Sequence, residues 1–179
     1  MTREASEVLQ MFFDKVEEDC DFFAYFGVSD EEALALAKER AQVYLREAVS
    51  YLRSHAELDF DLNVVAEPVE EADGTVLETN YYFAEEINFD EAELLAEIMF
   101  LRYLERGLAK LKPKINVLSS TDLKTLHSPA NERTSYVSMI NSEREHVYTL
   151  MSHYVAKDRV TGKRKVMSKY GTFYAEAGE

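Results

Sequence analysis

The residues best suited to metal chemistry lie near the end of the chain. Glu143 and His146 form a Glu-x-x-His pair, a spacing that places both side chains on one face of a helix. Di-iron four-helix bundles use two such pairs and two further glutamates, all projecting inward. This chain has one copy, because neither His55 nor His127 follows a glutamate at the same spacing. We therefore interpret Glu143 and His146 as a polar surface pair and keep a metal-dependent bundle enzyme as an alternative.

A second group of oxygen ligands resembles a calcium-binding loop. Its members fall at loop positions 1, 3, 5, 9 and 12 and are Asp59, Asp61, Asn63, Glu67 and Glu70. Position 6 requires glycine for a sharp turn, but Val64 stands there, and a β-branched residue is strained at positive φ. The apolar residues also alternate with the polar ones, as in a strand. The segment is therefore predicted to be a strand rather than a calcium site.

The remaining reactive residues do not form the motifs of common enzymes. Cys20 is the single cysteine and has no histidine or basic neighbour in sequence to activate its thiol; one cysteine fits a reducing compartment. The sequence contains no glycine-rich phosphate loop, no Gly-x-Ser-x-Gly and no zinc-type Cys/His spacing. We predict a protein that is not an enzyme and that has no catalytic residue, cofactor or metal.

The C-terminal segment, residues 156–179, combines basic and aromatic side chains. The bases are Lys157, Arg159, Lys163, Arg164, Lys165 and Lys169, and the aromatics that follow are Tyr170, Phe173 and Tyr174. We predict an extended arm that is disordered in the free subunit and becomes ordered on an acidic partner, for example by adding a strand to a partner sheet, since bases steer association and aromatics anchor it. Val160–Lys163 is predicted to form a hairpin turn. The alternative is a disordered, solubilising end.

Acidic residues are concentrated in the middle of the chain. The net charge is −14, and residues 61–100 carry 12 acidic and no basic side chains, whereas residues 101–179 carry 8 acidic and 14 basic ones. The acidic side chains that we expect to contact a partner are Asp59, Asp61, Glu67, Glu70, Glu71 and Asp73. This surface is either a solvated face or the side of a polar subunit that meets the basic side of a neighbour. Such a charge argues against free binding to nucleic acid.

One long amphipathic helix is predicted over residues 89–111, and the other helices are expected to pack on it. Asn88 is its N-cap with Glu91 completing a capping box, and Pro113 is expected to end it. Further helices are predicted over residues 3–20, from the capping box at Ser29 to His55, and from residue 129 or 130 to Val155. Residues 119–126 are expected to form a short helical turn.

In residues 57–86 the spacing of the apolar residues changes from that of a helix to the alternation of a strand. A β-hairpin or long extended loop is predicted there, with its turn at Ala72–Gly74, and it should project from the bundle.

The four aromatics of residues 21–28 form either a hydrophobic plug or an exposed patch. The fold class is therefore mainly α: a four-helix bundle over residues 1–155, an inserted acidic hairpin and an extended C-terminal arm. No apolar run is long enough to span a membrane, and the N-terminus lacks the apolar core of a signal peptide.

The predicted core is formed by the apolar faces of these helices. Residues expected to be buried together are Tyr44, Leu45, Leu95, Ile98, Met99, Ile140 and Leu150. Leu34 is expected on the buried face of the second long helix.

Residues 83–155 carry an ordered series of short motifs. They are Asn88-Phe89-Asp90-Glu91, Leu94-Leu95-Ala96, Met99, Tyr103-Leu104, Ser119-Ser120-Thr121-Asp122-Leu123-Lys124 and Ser128-Pro129-Ala130-Asn131. In this order they resemble the neck proteins of tailed phages, the head-to-tail connector (head-completion or adaptor) family. The capped helix from Ser29 to His55 also fits. The chain departs from the family at Tyr103, where Trp is common, at Leu123, where an aromatic is common, and in its long tail.

The resemblance implies a virion structural protein, made in the host cytoplasm and placed in the neck. Such proteins have a four-helix core and assemble as a ring, typically twelve-fold, beneath the portal protein. The ring extends the DNA channel and offers a platform to a downstream neck or tail protein, while DNA passes without sequence-specific binding. The resemblance implies no enzyme activity and no membrane. A free-standing helical adaptor or regulator with no phage role is the alternative.

Overall fold

The computed structural model describes residues 5–17, 20–23, 25–56, 58, 61–70, 76–117, 129–168 and 171–173. The helices are α1 (Ala5–Val16), α2 (Cys20–Phe23), α3 (Asp30–His55), α4 (Phe89–Val117) and α5 (Pro129–Val155). The strands are β1 (Val64–Glu70), β2 (Val76–Phe83), β3 (Val166–Ser168) and β4 (Gly171–Phe173). The mainly α fold class predicted from the sequence is confirmed. None of the described helices is long and apolar enough to cross a membrane.

Both capping boxes form as predicted and set where α3 and α4 begin. The Ser29 hydroxyl accepts from the Glu32 backbone N–H, and the Glu32 carboxylate accepts from the Ser29 N–H at 2.9 Å. At α4, the Glu91 N–H donates to Asn88 Oδ1 at 2.9 Å and the Asn88 N–H donates to Glu91 Oε2 at 2.8 Å. Each pair satisfies two backbone donors that a helix N-terminus leaves free.

The end of α4 differs from the prediction. The helix continues beyond Pro113 to Val117, so Pro113 does not end it. A proline inside a helix forfeits one backbone hydrogen bond, here to the carbonyl of Ala109, but the turns on either side can still close. The predicted turn at residues 119–126 lies outside the described residues.

Helix α4 is the centre of the bundle. The helices α1, α3 and α5 each make their most extensive helix–helix contact with it. Of the predicted core, Tyr44, Leu45, Leu95, Ile98, Met99 and Ile140 are buried, while Leu150 is partly buried and packs against them. The prediction fails at Leu34, which is 47% exposed, because it lies in the first turns of α3, before Ala37, where the buried stripe of the helix begins.

Aromatic side chains fill the space between α1, α2 and the middle of the bundle. Phe22 is fully buried and meets Phe12 edge-to-face at 5.5 Å and Tyr103 at 5.6 Å. The Arg40 guanidinium covers the Phe22 ring at 4.5 Å. The hydrophobic plug predicted for residues 21–28 is confirmed at Phe22, whereas Phe26 is fully exposed.

The hairpin inserted between α3 and α4 is antiparallel and begins later than predicted. Leu58 and residues 61–63 precede the first strand, which opens at Val64, and Leu62 is buried in the bundle core. This burial anchors the approach to the strand, so pairing starts only where the chain leaves the bundle. The register runs from Val64 opposite Phe83 to Glu70 opposite Val76, with a bulge between Val69 and Glu70. The predicted turn at Ala72–Gly74 lies outside the described residues.

Candidate interaction surfaces

The acidic residues predicted to bind a partner are distributed along the approach and first strand of the hairpin. Asp61 is exposed, and its backbone N–H donates to Glu85 Oε1 at 3.1 Å. Glu67 and Glu70 lie on β1, opposite Asn80 and Val76. Asp59, Glu71 and Asp73 lie outside the described residues. The structure therefore brings Asp61, Glu67 and Glu70 onto one continuous segment.

One face of the hairpin base is apolar and exposed. Val65 and Tyr82 are a cross-strand pair, 44% and 37% exposed. Their neighbours in the ladder, Val64 and Phe83, face the other way, and Phe83 is buried in the core. Because side chains alternate along a strand, Val65 and Tyr82 share the face that points away from the bundle. This outer pair gives the hairpin an apolar contact next to its acids.

The start of the C-terminal segment is fixed to the N-terminus of α4. The Arg159 Nε donates to Glu91 Oε1 at 2.7 Å, and its Nη2 donates to Glu91 Oε2 at 3.3 Å and to the Glu86 carbonyl. Lys157 Nζ reaches Asp90 Oδ2 at 3.1 Å. The acidic partners of Lys157 and Arg159 are thus in the same chain, so these two residues do not belong to a free arm.

Glu91 is the centre of this attachment. Its side chain is fully buried and also accepts from the Tyr154 hydroxyl at 2.7 Å, besides capping α4 through the Asn88 N–H. The hydrogen bond to Glu91 is the main cause that raises the pKa of Arg159, so the guanidinium stays charged. Sequence reasoning identified the cap but missed the contact with Arg159, because the two residues are 68 positions apart and no short motif joins them.

The turn after Arg159 forms as predicted. Gly162 has φ +66°, a conformation that suits glycine, and its N–H donates to the Asp158 carbonyl at 2.8 Å. The Thr161 N–H and hydroxyl both donate to Asp158 Oδ1 at 2.7 Å, which lowers the Asp158 pKa. Lys157 then pairs with Arg164 as an isolated antiparallel bridge. Residues 157–164 therefore form a closed loop.

The rest of the predicted basic and aromatic set is divided. Lys163 and Arg164 are exposed, and Lys165 is partly buried. Phe173 lies on β4, opposite Val166 of β3, so these strands pair with each other. Lys169, Tyr170 and Tyr174 lie outside the described residues. Addition of a strand to a partner sheet stays a prediction.

Comparison of the chain with protein-family models, curated proteins and solved structures finds no match. The family resemblance therefore depends on the motif residues alone.

A cluster of ionisable groups lies where α1, α4 and α5 meet. Lys15 Nζ contacts Glu97 Oε1 at 2.7 Å, and His146 Nε2 lies 3.7 Å from the same oxygen. Glu143 approaches Glu97, and its Oε1 is buried without a hydrogen-bond partner among the described residues. Burial, then repulsion by Glu97, raises the Glu143 pKa. The arrangement favours the protonated form of Glu143 because its pKa is raised, which the Glu-x-x-His spacing alone did not reveal.

The metal alternatives find little geometric support in this cluster. Within the described part of the chain, no group of three His, Cys, Asp or Glu side chains is arranged to hold an ion. Lys15 supplies the positive charge beside Glu97. In the calcium-like segment, Asn63 Oδ1 accepts from Arg53 Nη1 at 2.6 Å and Val64 opens a strand, as the strand interpretation requires.

Proposed function

We propose that this chain is a structural subunit of the tailed-phage neck. Copies of it form a closed ring between the portal and a downstream neck or tail protein, and the ring extends the channel through which DNA passes. In this proposal the helical core is the ring body and the β1–β2 hairpin is a contact element. The motif residues from Asn88 to Leu104 support it, because most of them lie on the buried face or cap of the central helix.

The observation that carries the proposal is the form of the hairpin. It leaves the bundle between α3 and α4, has Phe83 of its base buried in the core, and exposes the Val65–Tyr82 pair on the strands that carry its ladder. An exposed apolar pair beside charged residues is typical of a protein–protein contact. A contact between different patches of identical subunits is heterologous, and such contacts close into rings.

The charge distribution supports passage of DNA rather than its capture. The net charge of −14 repels phosphate over most of the surface. A channel wall of this sign lets a duplex slide, since counterion release, the usual source of non-specific affinity, requires basic contacts.

The test is the mass and shape of the assembly. Purified chain, alone and mixed with a phage portal protein, is examined by light scattering and negative-stain electron microscopy. We expect rings, and we expect Val65→Ser/Tyr82→Ser to prevent them. Tyr148→Ser is the matched control, since Tyr148 is 65% exposed on α5, away from the hairpin. A chain that stays monomeric both alone and with the portal would contradict the proposal.

That negative result would favour the free-standing adaptor. One observation already points toward it: Lys157 and Arg159, assigned from sequence to a partner-binding arm, bind acids of their own chain. A subunit whose C-terminal bases are neutralised internally depends less on a partner for its fold.

A further inference from the structure

The backbone groups of the β1–β2 hairpin point alternately toward the other strand and away from it. The Ala84 N–H donates to the Asn63 carbonyl at 2.8 Å, and these two residues continue the register of the ladder. In an antiparallel ladder, hydrogen-bonded pairs of this kind alternate with pairs that are not hydrogen-bonded. Counted from Asn63 and Ala84, the pair Pro68–Thr79 is of the second kind. The backbone groups of Pro68 and Thr79 therefore point outward, toward the two edges of the hairpin.

The two edges differ in what they offer to another strand. On β1 the outward position is Pro68, which has no N–H, and proline is one of the residues that protect a sheet edge. On β2 the outward positions include Thr79 and, two residues on, Tyr81, and the strand contains no proline and no lysine. Within the described residues, β1 is the only strand that pairs with β2. The edge of β2 is therefore open to a further strand, whereas the edge of β1 is interrupted.

The open part of the β2 edge is short. At its inner end Phe83 is buried in the core and α1 contacts the strand. At its outer end the ladder has a bulge between Val69 and Glu70, and a bulge bends the strand and interrupts pairing. About three residues, Thr79–Tyr81, remain between these limits, and they span about 10 Å of strand.

The charge of the hairpin selects the kind of strand that can be added. Residues 61–86 carry eight acidic and no basic side chains, so a basic strand is favoured. Residues 163–169 carry four bases and no acid. They include β3, which is extended, three residues long and paired with β4 in a sheet of two strands. The C-terminal segment therefore has the charge, the conformation and the length that the β2 edge requires.

Within one chain this segment does not pair with β2. Arg159 attaches the preceding loop to Glu91 at the N-terminus of α4, and β3 pairs with β4 instead. The edge and the basic strand of one subunit are therefore both available to other subunits.

We propose that the β2 edge at Thr79–Tyr81 receives strand β3 of a second copy of this chain. Main-chain hydrogen bonds hold the added strand, and the opposite charges of the two segments select it. The contact joins two different elements, so it is heterologous and can propagate around a ring. It rests on the proposed function and names the contact between neighbouring ring subunits.

Two proline substitutions compare the two edges. Thr79→Pro removes an outward N–H from β2, and Ala66→Pro removes one from β1, since Ala66–Tyr81 is also a pair without ladder hydrogen bonds. Thr79→Pro should weaken self-association about tenfold or more, because the ring removes a donor and blocks the approach of a strand. Ala66→Pro is the matched control and should assemble like the unsubstituted chain.

The full chain is used, alone or with a phage portal protein, in the condition where the unsubstituted chain assembles. Mass photometry gives the masses, and circular dichroism confirms that the variants fold. Equal weakening by both prolines, or by neither, would overturn the proposal.

A mixing experiment identifies the strand that is added. A chain that ends at Lys165 keeps the β2 edge but lacks β3, whereas Thr79→Pro keeps β3 but has a blocked edge. Each alone should stay monomeric at a concentration where the unsubstituted chain is assembled. An equimolar mixture should give pairs and no larger species, because only one contact can form. Normal assembly of the truncated chain would overturn the proposal even if Thr79→Pro failed to fold, and so would a folded mixture that forms no pairs.

The outcomes separate this inference from the proposed function. Rings that neither Thr79→Pro nor the truncation affects would overturn the inference and leave the proposed function standing. Open chains of the unsubstituted protein that depend on both elements would support the inference and contradict the proposed function. An unsubstituted chain that stays monomeric, both alone and with the portal protein, would overturn both.

Discussion

Among single residues, Glu91 has the most demanding environment. A fully buried carboxylate is stable only while its charge is paired and its oxygens are hydrogen-bonded, and Arg159, Tyr154 and Asn88 together do this. Its position also explains why α5 ends near the start of α4: Tyr154 and Arg159 flank that end and share one acceptor.

We expect Arg159→Ala to lower the free energy of unfolding by about 3 kcal/mol, because it leaves a buried charge without its cation. Urea denaturation followed by circular dichroism measures the change. Lys163→Ala is the control, since Lys163 is exposed four residues along the same loop, and it should change stability by less than about 0.5 kcal/mol. Equal effects of the two substitutions would show that the Glu91 pair is not important for stability.

Glu143 predicts a dependence of stability on pH. Burial and the nearby Glu97 raise its pKa in the folded state, so the protonated form is favoured by folding. The associated stability is complete below the unfolded-state pKa of glutamate and is lost as pH rises through the higher folded-state pKa. Thermal melting between acidic and weakly basic pH should therefore show less loss of stability in Glu143→Gln than in the parent.

The control for this series is Glu145→Gln, which removes the same charge from an exposed position on the same helix. It accounts for the general relief of repulsion in a chain of net charge −14. Identical melting profiles for Glu143→Gln and Glu145→Gln would refute a specific role of the Glu97–Glu143 contact.

At the scale of elements, the hairpin is separable from the core. Its inner end is anchored by Phe83 and by Leu62, which precedes it, both buried, while the Glu70–Val76 pair lies at the other end of the described ladder. Deleting Val69–Val76 should leave helical content and melting temperature nearly unchanged and should impair ring assembly. Circular dichroism and light scattering are the measurements. Unfolding of the deletion variant would mean that the hairpin belongs to the core.

The C-terminal segment should behave as two parts. Truncation after Lys165 retains Arg159 and the closed loop, so it should leave stability nearly unchanged. Truncation after Ala156 removes Arg159 and should destabilise the bundle by about the same amount as Arg159→Ala. This corrects the sequence-based expectation that everything after residue 156 is an independent arm. Equal melting temperatures for the two truncated chains would restore the original expectation.

At the scale of the whole molecule, the charge pattern predicts weak contact with DNA. The full chain should not bind a fluorescent duplex at ordinary salt in an anisotropy titration, because phosphate meets a surface of its own sign. Tight binding at ordinary salt would contradict a channel wall that lets DNA slide.

Local signals in the sequence were sufficient for much of the fold. Capping residues at Ser29 and Asn88 act on their own backbone within three residues, so the starts of α3 and α4 were predictable. The end of α4 was not, because a single proline costs one hydrogen bond and does not decide the path of the chain. The start of β1 was also missed, since alternation cannot distinguish a strand from an extended segment held by a buried Leu62.

The candidate sites required information that no short motif holds. Arg159 and Glu91 are 68 residues apart in sequence, and Lys15 and Glu97 are 82 apart. Periodicity indicates which face of a helix is buried but not which charge from another element meets it.

The long separation of Arg159 from Glu91 also fixes an order of events during synthesis. During translation Glu91 is added to the chain 68 residues before Arg159, and the residues of α5 are added between the two. While the chain is growing, Glu91 stays hydrated or bound by its own cap, and the start of α4 remains open to water. The guanidinium is added 68 residues after the carboxylate, so the junction between hairpin and central helix can close only after α5 has been made. Nascent chains stalled before residue 159 should therefore be cut by protease near Glu86, and chains released past that point should resist.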